Sequence, residues 1–368
     1  MIKTTPFEMV FIIRDSMKTN RVATLGISAL SMIILILDGK TALASATEGI
    51  DMCLRAVIPS LFPFFFLSVI INDRLLGANS KLLRPLSRFC KIPEGSESIV
   101  VLGLIGGYPV GGASIYDAYK ANALSKAQAT RMLSFCNNAG PAFLFGILAP
   151  IFDDTVILWA LWAIQILSAL AVGMILPGKE EDRISLSHIP SVTPARAMQM
   201  AIRNIACVCG WIILFKIVLG FFTRWFFWLL PQTVQILLIG LMELSNGCLS
   251  LTALPCAGMR FLFAAVFLSF GGICVCMQTA SVIGDLPLKS YIVGKILQVS
   301  ITVIVAGIAQ AFLFPKDSLN ITVFLPFSIV ILFAILLLKK AVAFRGNIGY
   351  NGRKSLHERG ALCCFEEK

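Results

Sequence analysis

Charged residues are scarce in this chain. Only 14% of its 368 residues are Asp, Glu, Lys or Arg, whereas a soluble protein carries about 25%. The hydrophobic fraction is 57% and the mean hydropathy is +0.85. One buried core cannot account for this deficit of charge in a chain of this length. The composition therefore excludes the soluble classes and predicts an integral membrane protein.

Histidines are scarce too, and the common catalytic motifs are missing. His188 and His357 are the only histidines, and neither belongs to an H-E-x-x-H pattern. The sequence contains no G-x-S-x-G motif, Walker loop or dinucleotide fingerprint. Its C-x-C pairs at 207–209 and 274–276 lack histidine or carboxylate partners at metal-ligand spacing. We therefore expect no enzyme activity, no cofactor and no metal site.

Basic residues outnumber acidic ones, which gives a net charge of +11. The Lys and Arg residues lie in short segments between apolar runs, as the positive-inside rule describes for cytoplasmic loops. They do not form the continuous stripe that is typical of nucleic-acid binding. We therefore expect a lipid bilayer and a small-molecule solute as partners, no nucleic acid, and both termini in the cytoplasm.

The apolar runs predict an all-α polytopic membrane protein with about eight transmembrane helices plus re-entrant or broken helices. Charge and hydropathy divide the chain into five parts. These are a basic amphipathic lead (1–21), a first membrane half (22–177), a cytoplasmic linker (178–200), a second membrane half (201–338) and a basic tail that we expect to be disordered (339–368).

Two apolar segments are interrupted by small and amide residues. They are SFCNNAGPAFLFG at Ser134–Gly146 and SFGGICVCMQTASVIG at Ser269–Gly284. Within a bilayer such residues stop a helix part-way, and the freed backbone groups must face protein or a water-filled cavity. Broken helices at corresponding positions of two halves indicate the solute site of a transporter.

A glycine-rich run, GGYPVGG at 106–112, lies inside the apolar segment 99–113. Four glycines and a proline in seven residues cannot form a regular helix. Because the segment is also short for a crossing, we predict a re-entrant hairpin whose tip exposes backbone amides. If it crossed instead, Lys120, Lys126 and Arg131 would lie outside, against the positive-inside rule.

The segment Thr41–Ile71 is too long for one straight crossing. Glu48, Asp51 and Arg55 share one helical face near its start, and two prolines follow. Two interpretations stay open. One is a polar half-helix joined to a membrane-buried half, and the other is an interfacial helix followed by an ordinary span.

The two halves share a pattern that predicts an internal repeat. Gly106–Ser134 and Glu243–Ser269 each begin with a glycine-containing interruption and end on Ser-Phe before a break. Ala46–Ile71 and Ala197–Phe222 both pass from polar to apolar. An inverted pair is the usual form in secondary transporters. Coincidence is the alternative, because apolar sequences resemble one another easily.

Glu243 is the strongest functional candidate. A carboxylate within an apolar span costs roughly 2.5–3.5 kcal/mol on insertion scales and indicates function; the alternative is an acid near a span end that reaches water. Helix ends freed by glycines suit an anionic group, while the buried amides could bind a solute or hold broken helices together. The candidate substrate-binding residues are Gly106, Gly107, Tyr108, Pro109, Gly111, Asn137, Asn138, Glu243, Asn246, Gly271, Gly272 and Gln278.

At GGYPVGG, SFCNNAGPAF and SFGGICVCMQ the chain resembles the YlbJ-type sporulation integral membrane proteins. These belong to the nucleoside-recognition (Gate) membrane domain group, which is similar in layout to concentrative nucleoside transporters. Further matches are IPSLFPFFFLS at Ile58–Ser68, Glu243 with Asn246, and Tyr291 with Lys295. The resemblance covers about residues 42–315.

The resemblance implies a protein of endospore-forming bacteria that acts in spore maturation, in the mother-cell-derived membrane around the forespore. It also implies the passage of dipicolinic acid, a small aromatic dicarboxylate, toward the forespore. Two alternatives stay open: a transporter of a nucleoside-type solute, and a non-transporting scaffold or assembly protein of the spore envelope. A homo-oligomer or a spore-envelope protein partner is compatible with each of them.

Overall fold

A computed structural model describes residues 21–75, 82–178, 192–315 and 317. Those residues form helices and connecting turns, with no strand among them. The described residues do not include residues 1–20 of the predicted lead, residues 179–191 of the linker, the predicted last span (321–338) and the tail.

The first half contains nine helices in the described part. They are α1 (Arg21–Leu37), α2 (Gly39–Met52), α3 (Ile58–Leu75), α4 (Arg84–Cys90), α5 (Glu97–Ile105), α6 (Val110–Lys120), α7 (Lys126–Leu133), α8 (Pro141–Phe143) and α9 (Thr155–Ile175), with π-helical stretches at Cys53–Val57 and Leu144–Leu148.

The second half follows with six more described helices. They are α10 (Pro194–Trp225), α11 (Gln232–Met242), α12 (Leu244–Ser250), α13 (Ala257–Phe270), α14 (Gly272–Val282) and α15 (Leu288–Leu313), with 3₁₀ turns at Phe227–Leu229 and Leu251–Ala253. Helix α10 begins before the predicted start of this half at residue 201, because the Thr193 side chain accepts a hydrogen bond from the Arg196 amide and caps it.

Five helical stretches in the described residues are long and apolar enough to cross a membrane. They are Gly39–Ile71, Thr155–Ile175, Pro194–Trp225, Ala257–Val282 and Leu288–Leu313. Many large apolar side chains on them are exposed, as lipid-facing surfaces require. The prediction of an all-α polytopic membrane protein is confirmed.

The stretch from α2 to α3 is one continuous helical path. The π-helical turn at Cys53–Val57 joins the polar part to the apolar part without a break, and Pro63 lies inside α3. Asp51 and Arg55 pair on an exposed face of this path. Both interpretations of Thr41–Ile71 concern the position of this path relative to the membrane, and they stay predictions.

The glycine-rich run separates α5 from α6, and these two helices pack against each other as a hairpin. A side chain at Gly103 or Gly111 would collide with the Cys136 carbonyl, so the hairpin closes tightly around the neighbouring break. The polar segment that follows the run forms two helices, α6 and α7. Ser125 and Gln128 form a capping box that begins α7.

The apolar segment 225–250 forms a second hairpin. Helix α11 ends at Met242, Glu243 is extended, and α12 packs back on α11. A β-carbon on Gly247 would collide with Gly240, which lies across the hairpin. Helices α13 and α14 then meet at Gly271, whose φ of 82° favours glycine.

Candidate functional site

A cavity lies where the interruptions of the two halves meet. Gly107 and Tyr108 line it from the first hairpin, and Glu243 and Gln278 line it from the second half. The space between atoms is about 460 Å³ including its opening, but only a small part of it admits a water-sized molecule. The remaining lining is mostly apolar and includes Val57, Leu61, Phe143, Ile147, Val208, Ile212, Leu244 and Val275.

Tyr108 forms the tip of the first hairpin. Gly107, with a φ of 79°, turns the backbone so that Tyr108 points inward, where it is 7% exposed. The Tyr108 hydroxyl donates a hydrogen bond of 3.0 Å to the carbonyl of Leu268, just before the second break. The hairpin tip of one half is thereby anchored to a broken helix of the other.

The first break is held by its two amides, both fully buried. Asn137 Nδ2 donates to the Thr279 hydroxyl at 2.9 Å, which connects the break to α14. Asn138 Nδ2 donates to the Phe135 carbonyl at 2.7 Å, and its backbone amide donates to Gly103. These contacts favour the structural interpretation of the two amides.

Glu243 is 1% exposed, which contradicts the alternative that it reaches water at a span end. Its Oε1 accepts from the Ser245 amide at 3.0 Å, and its Oε2 accepts from the amide and side chain of Asn246, each at 2.7 Å. Glu243 thus caps α12. The N-terminal end of this helix is satisfied by the chain's own carboxylate.

Among the described residues, Asn246 connects Glu243 to a positive charge. Lys216 Nζ donates to Asn246 Oδ1 at 2.8 Å and also pairs with the exposed Glu48 at 3.1 Å. A polar chain therefore runs from a surface carboxylate to the cavity carboxylate. It spreads the negative charge of Glu243 over several polar groups.

At the second break, Gly271 and Gly272 have φ values of 82° and 81°. A β-carbon on Gly271 would lie 3.2 Å from the ring of Tyr108, so the two interruptions are in close contact. Gln278, four residues further along α14 than Cys274, donates to its sulfur at 3.4 Å and lines the cavity.

Lys295 lies at the centre of a buried polar cluster on α15. Its Nζ donates to Tyr108 Oη at 3.1 Å, Asn138 Oδ1 at 3.0 Å and Gln298 Oε1 at 2.9 Å. Gln298 Nε2 donates in turn to Asn138 Oδ1 and to the Gln165 carbonyl. Lys295 is fully buried, and it donates to Tyr108, which lines the cavity.

Sequence reasoning assigned no role to Lys295 and did not consider Gln298 or Gln165. A signal was present, because a lysine inside an apolar helix of 26 residues is itself unusual. Gln298 follows at i+3 and therefore shares its helical face. What the sequence could not supply is the partner, since Asn138 is more than 150 positions away.

The predicted site residues fall into two groups. Gly107, Tyr108, Glu243 and Gln278 line the cavity. The others, which the cavity lining does not include, shape or fasten the interruptions behind it: Gly106, Pro109, Gly111, Asn137, Asn138, Asn246, Gly271 and Gly272. Their role as solute ligands stays a prediction.

Long apolar helices and two interrupted hairpins around a central cavity define a multi-pass, all-α integral membrane protein. The chain is similar to the sporulation integral membrane protein YlbJ of Bacillus subtilis (strain 168), at 25% identity over 332 residues, with 77% of this chain and 81% of that protein covered. This similarity supports the YlbJ-type family assignment that the motifs predicted. No family model and no solved structure matches the chain.

Proposed function

We propose that this chain is a sporulation membrane protein that moves a small anionic solute, dipicolinic acid, across a membrane during endospore formation. The observation that carries the proposal is the cavity between the interruptions of the two halves. Solute sites built from discontinuous helices at a repeat interface are typical of secondary transporters. The similarity to a sporulation membrane protein supports the cellular role.

The order of elements supports an internal repeat. A long helix (α3), a hairpin (α5–α6), a broken helix (α7–α8) and a plain span (α9) follow one another in the first half. The second half has the same order, with α10, α11–α12, α13–α14 and α15. Both hairpins also close over a glycine pair.

The packing between the halves is reciprocal, as a two-fold axis requires. Corresponding helices pack together, α3 on α10 and α9 on α15. Helix α9 packs on α13, and its counterpart α15 packs on α7. Likewise, α6 contacts α14, and its counterpart α12 contacts the stretch after α8. These contacts support an internal repeat over a coincidental similarity of apolar sequences.

Ion pairs indicate that the two halves run in opposite directions. Arg224, at the end of α10, pairs with Asp38 at 3.3 Å just before α2, so α10 is antiparallel to the α2–α3 path. Lys126, at the start of α7, pairs with Asp285 just before α15. Arg131 in the same helix donates to Pro177 just after α9. Helices α9 and α15 are therefore antiparallel as well.

These directions also suggest the orientation in the membrane. The end of the molecule with Lys120, Lys126 and Arg131 is rich in basic residues, and we place it in the cytoplasm. With α1 and the predicted final span counted as crossings, we infer about eight crossings and two cytoplasmic termini.

The charges around the cavity favour an anion. The Lys295 ammonium lies one hydrogen bond behind Tyr108, and no carboxylate in the described part of the chain contacts it. The charge of Glu243 is instead taken up by three N–H donors. The apolar lining suits a flat aromatic ring. Because water-sized molecules fit only a small part of the cavity, entry of a solute requires the halves to move apart.

The test is uptake of labelled dipicolinate by proteoliposomes that contain the purified full-length chain, with protein-free liposomes as the control and a nucleoside as competitor. We expect saturable flux that the nucleoside does not reduce. Flux of the nucleoside without flux of dipicolinate would support a transporter and exclude dipicolinate as its substrate. If folded protein carries neither, the proposal is wrong and the scaffold alternative gains support.

A further inference from the structure

Lys295 Nζ has three oxygen neighbours. The Tyr108 hydroxyl donates to the Leu268 carbonyl, so its oxygen accepts from Lys295. The other two neighbours are amide oxygens, which carry no hydrogen. Three acceptors match the three N–H donors of the ammonium form.

The surroundings of this ammonium have the composition of a site for a monovalent cation. Its three ligands are neutral oxygens at 2.9–3.1 Å, and neutral oxygens are what selectivity filters offer to K⁺. The rings of Tyr108 and Tyr291 lie 5.1 and 5.7 Å from Nζ, within the range of cation–π attraction. In the described residues no carboxylate balances the charge.

The position is one where transporters hold a free ion. Unwound backbone at broken helices commonly coordinates the coupling Na⁺. Here the ammonium joins the first hairpin through Tyr108, the first break through Asn138, and α15 of the second half. One side chain thus fastens both halves at the point where an ion would otherwise be needed.

We propose that the Lys295 ammonium is a tethered cation that permanently occupies a monovalent-cation site between the two halves. The chain then binds no free Na⁺ or K⁺ at this site. Removing the side chain creates a vacant site for small ammonium ions and K⁺. The two halves could then close on a solute without an alkali cation, and this consequence rests on the proposed transport function. The occupancy of the cation site by Lys295 does not rest on it.

The experiment measures the thermal unfolding of purified full-length Lys295→Ala in detergent. The salt is N-methyl-D-glucamine chloride, replaced at constant ionic strength by potassium, ammonium or ethylammonium chloride. We expect the variant to melt at least about 5 °C below the unaltered chain in the bulky salt. Potassium, ammonium or ethylammonium should restore half or more of the lost melting temperature, and this effect should saturate with the cation concentration. A folded variant that no cation stabilises overturns the proposal.

Two controls separate cation binding from a general salt effect. Lys289→Ala removes an exposed lysine from the start of the same helix, and its melting temperature should not depend on the cation. Lys295→Met fills the space without charge, so it should melt lower than the unaltered chain and show no rescue. A Lys295→Met protein as stable as the unaltered chain contradicts the proposal.

A further measurement uses the unaltered chain, so it does not depend on whether a variant folds. Its melting temperature should be the same in sodium, potassium and N-methyl-D-glucamine chloride, and a specific rise with Na⁺ or K⁺ counts against a permanently occupied site. These measurements do not involve dipicolinate. Absence of dipicolinate flux would therefore reject the transport proposal. The dependence of the melting temperature on the cation would still decide whether Lys295 occupies a cation site.

Discussion

The side chain of Asn137 in the first break donates a hydrogen bond of 2.9 Å to the hydroxyl of Thr279 in α14. Its own oxygen accepts from the Gly112 amide at the start of α6. One amide thus connects a hairpin, a break and a helix of the other half. Since all three positions are buried, water cannot replace these bonds when they are lost.

We predict that Asn137→Ala lowers the free energy of unfolding by about 1–3 kcal/mol, because it leaves buried polar groups without partners. Thr279→Val should cost less, and the double variant should show a coupling of about 1 kcal/mol. Denaturation of the purified variants in detergent measures these values. Strict additivity of the two substitutions would show that the bond contributes nothing.

Glu243 carries the second prediction. Glu243→Gln keeps the shape of the side chain, but an amide nitrogen cannot accept the two hydrogen bonds that Oε2 receives from Asn246. Because α12 then loses this cap at the cavity wall, we expect a lower melting temperature. Dipicolinate flux should fall about tenfold or more, which corresponds to about 1.4 kcal/mol of lost interaction.

The matched control is Glu48→Gln, which removes an exposed carboxylate at the outer end of the same polar chain. Flux through this variant should stay within about twofold of the unaltered chain, because an exposed ion pair contributes little. Equal losses in the two variants would show that the charge of Glu243 has no special role in the cavity.

Gly271 allows a backbone conformation that other residues adopt with difficulty. Gly271→Ala should destabilise the protein by about 1–2 kcal/mol, because a β-carbon is strained at a φ of 82° and would press on the Tyr108 ring. Gly210→Ala is the control, since a β-carbon there meets nothing within 4 Å and α10 is helical. That variant should be as stable as the unaltered chain or slightly more so.

The sequence predicted the architecture better than the details of the site. Its hydropathy, glycine run and Ser-Phe breaks were sufficient to predict a membrane protein with interrupted helices. Local signals did not resolve the hairpin at 225–250, since Glu243 ends one helix and begins the next only because its side chain caps the second. The partners of Lys295 were also beyond prediction, because periodicity contains no information on contacts between distant segments.

The last prediction concerns pH and the basic end of the molecule. Burial raises the pKa of Asp285, but the hydrogen bond and charge of Lys126 and the charge of Lys120 lower the pKa by more, so it lies below its ordinary value. A depressed folded-state pKa stabilises the protein above the unfolded-state pKa of about 3.9, and this stabilisation is lost as the pH falls through the folded-state value.

Because the Asp285 side chain is 43% exposed, solvent screens the pair and the effect should be small. We expect Asp285→Asn to melt slightly below the unaltered chain at pH 7. The difference should shrink at high salt, since ions screen exposed charges, and it should shrink as the pH falls below the unfolded-state pKa of about 3.9. Thermal unfolding of both proteins between about pH 2 and 7, at low and high salt, tests this. A difference that stays constant over this range would mean that Asp285 acts through packing and not through its charge.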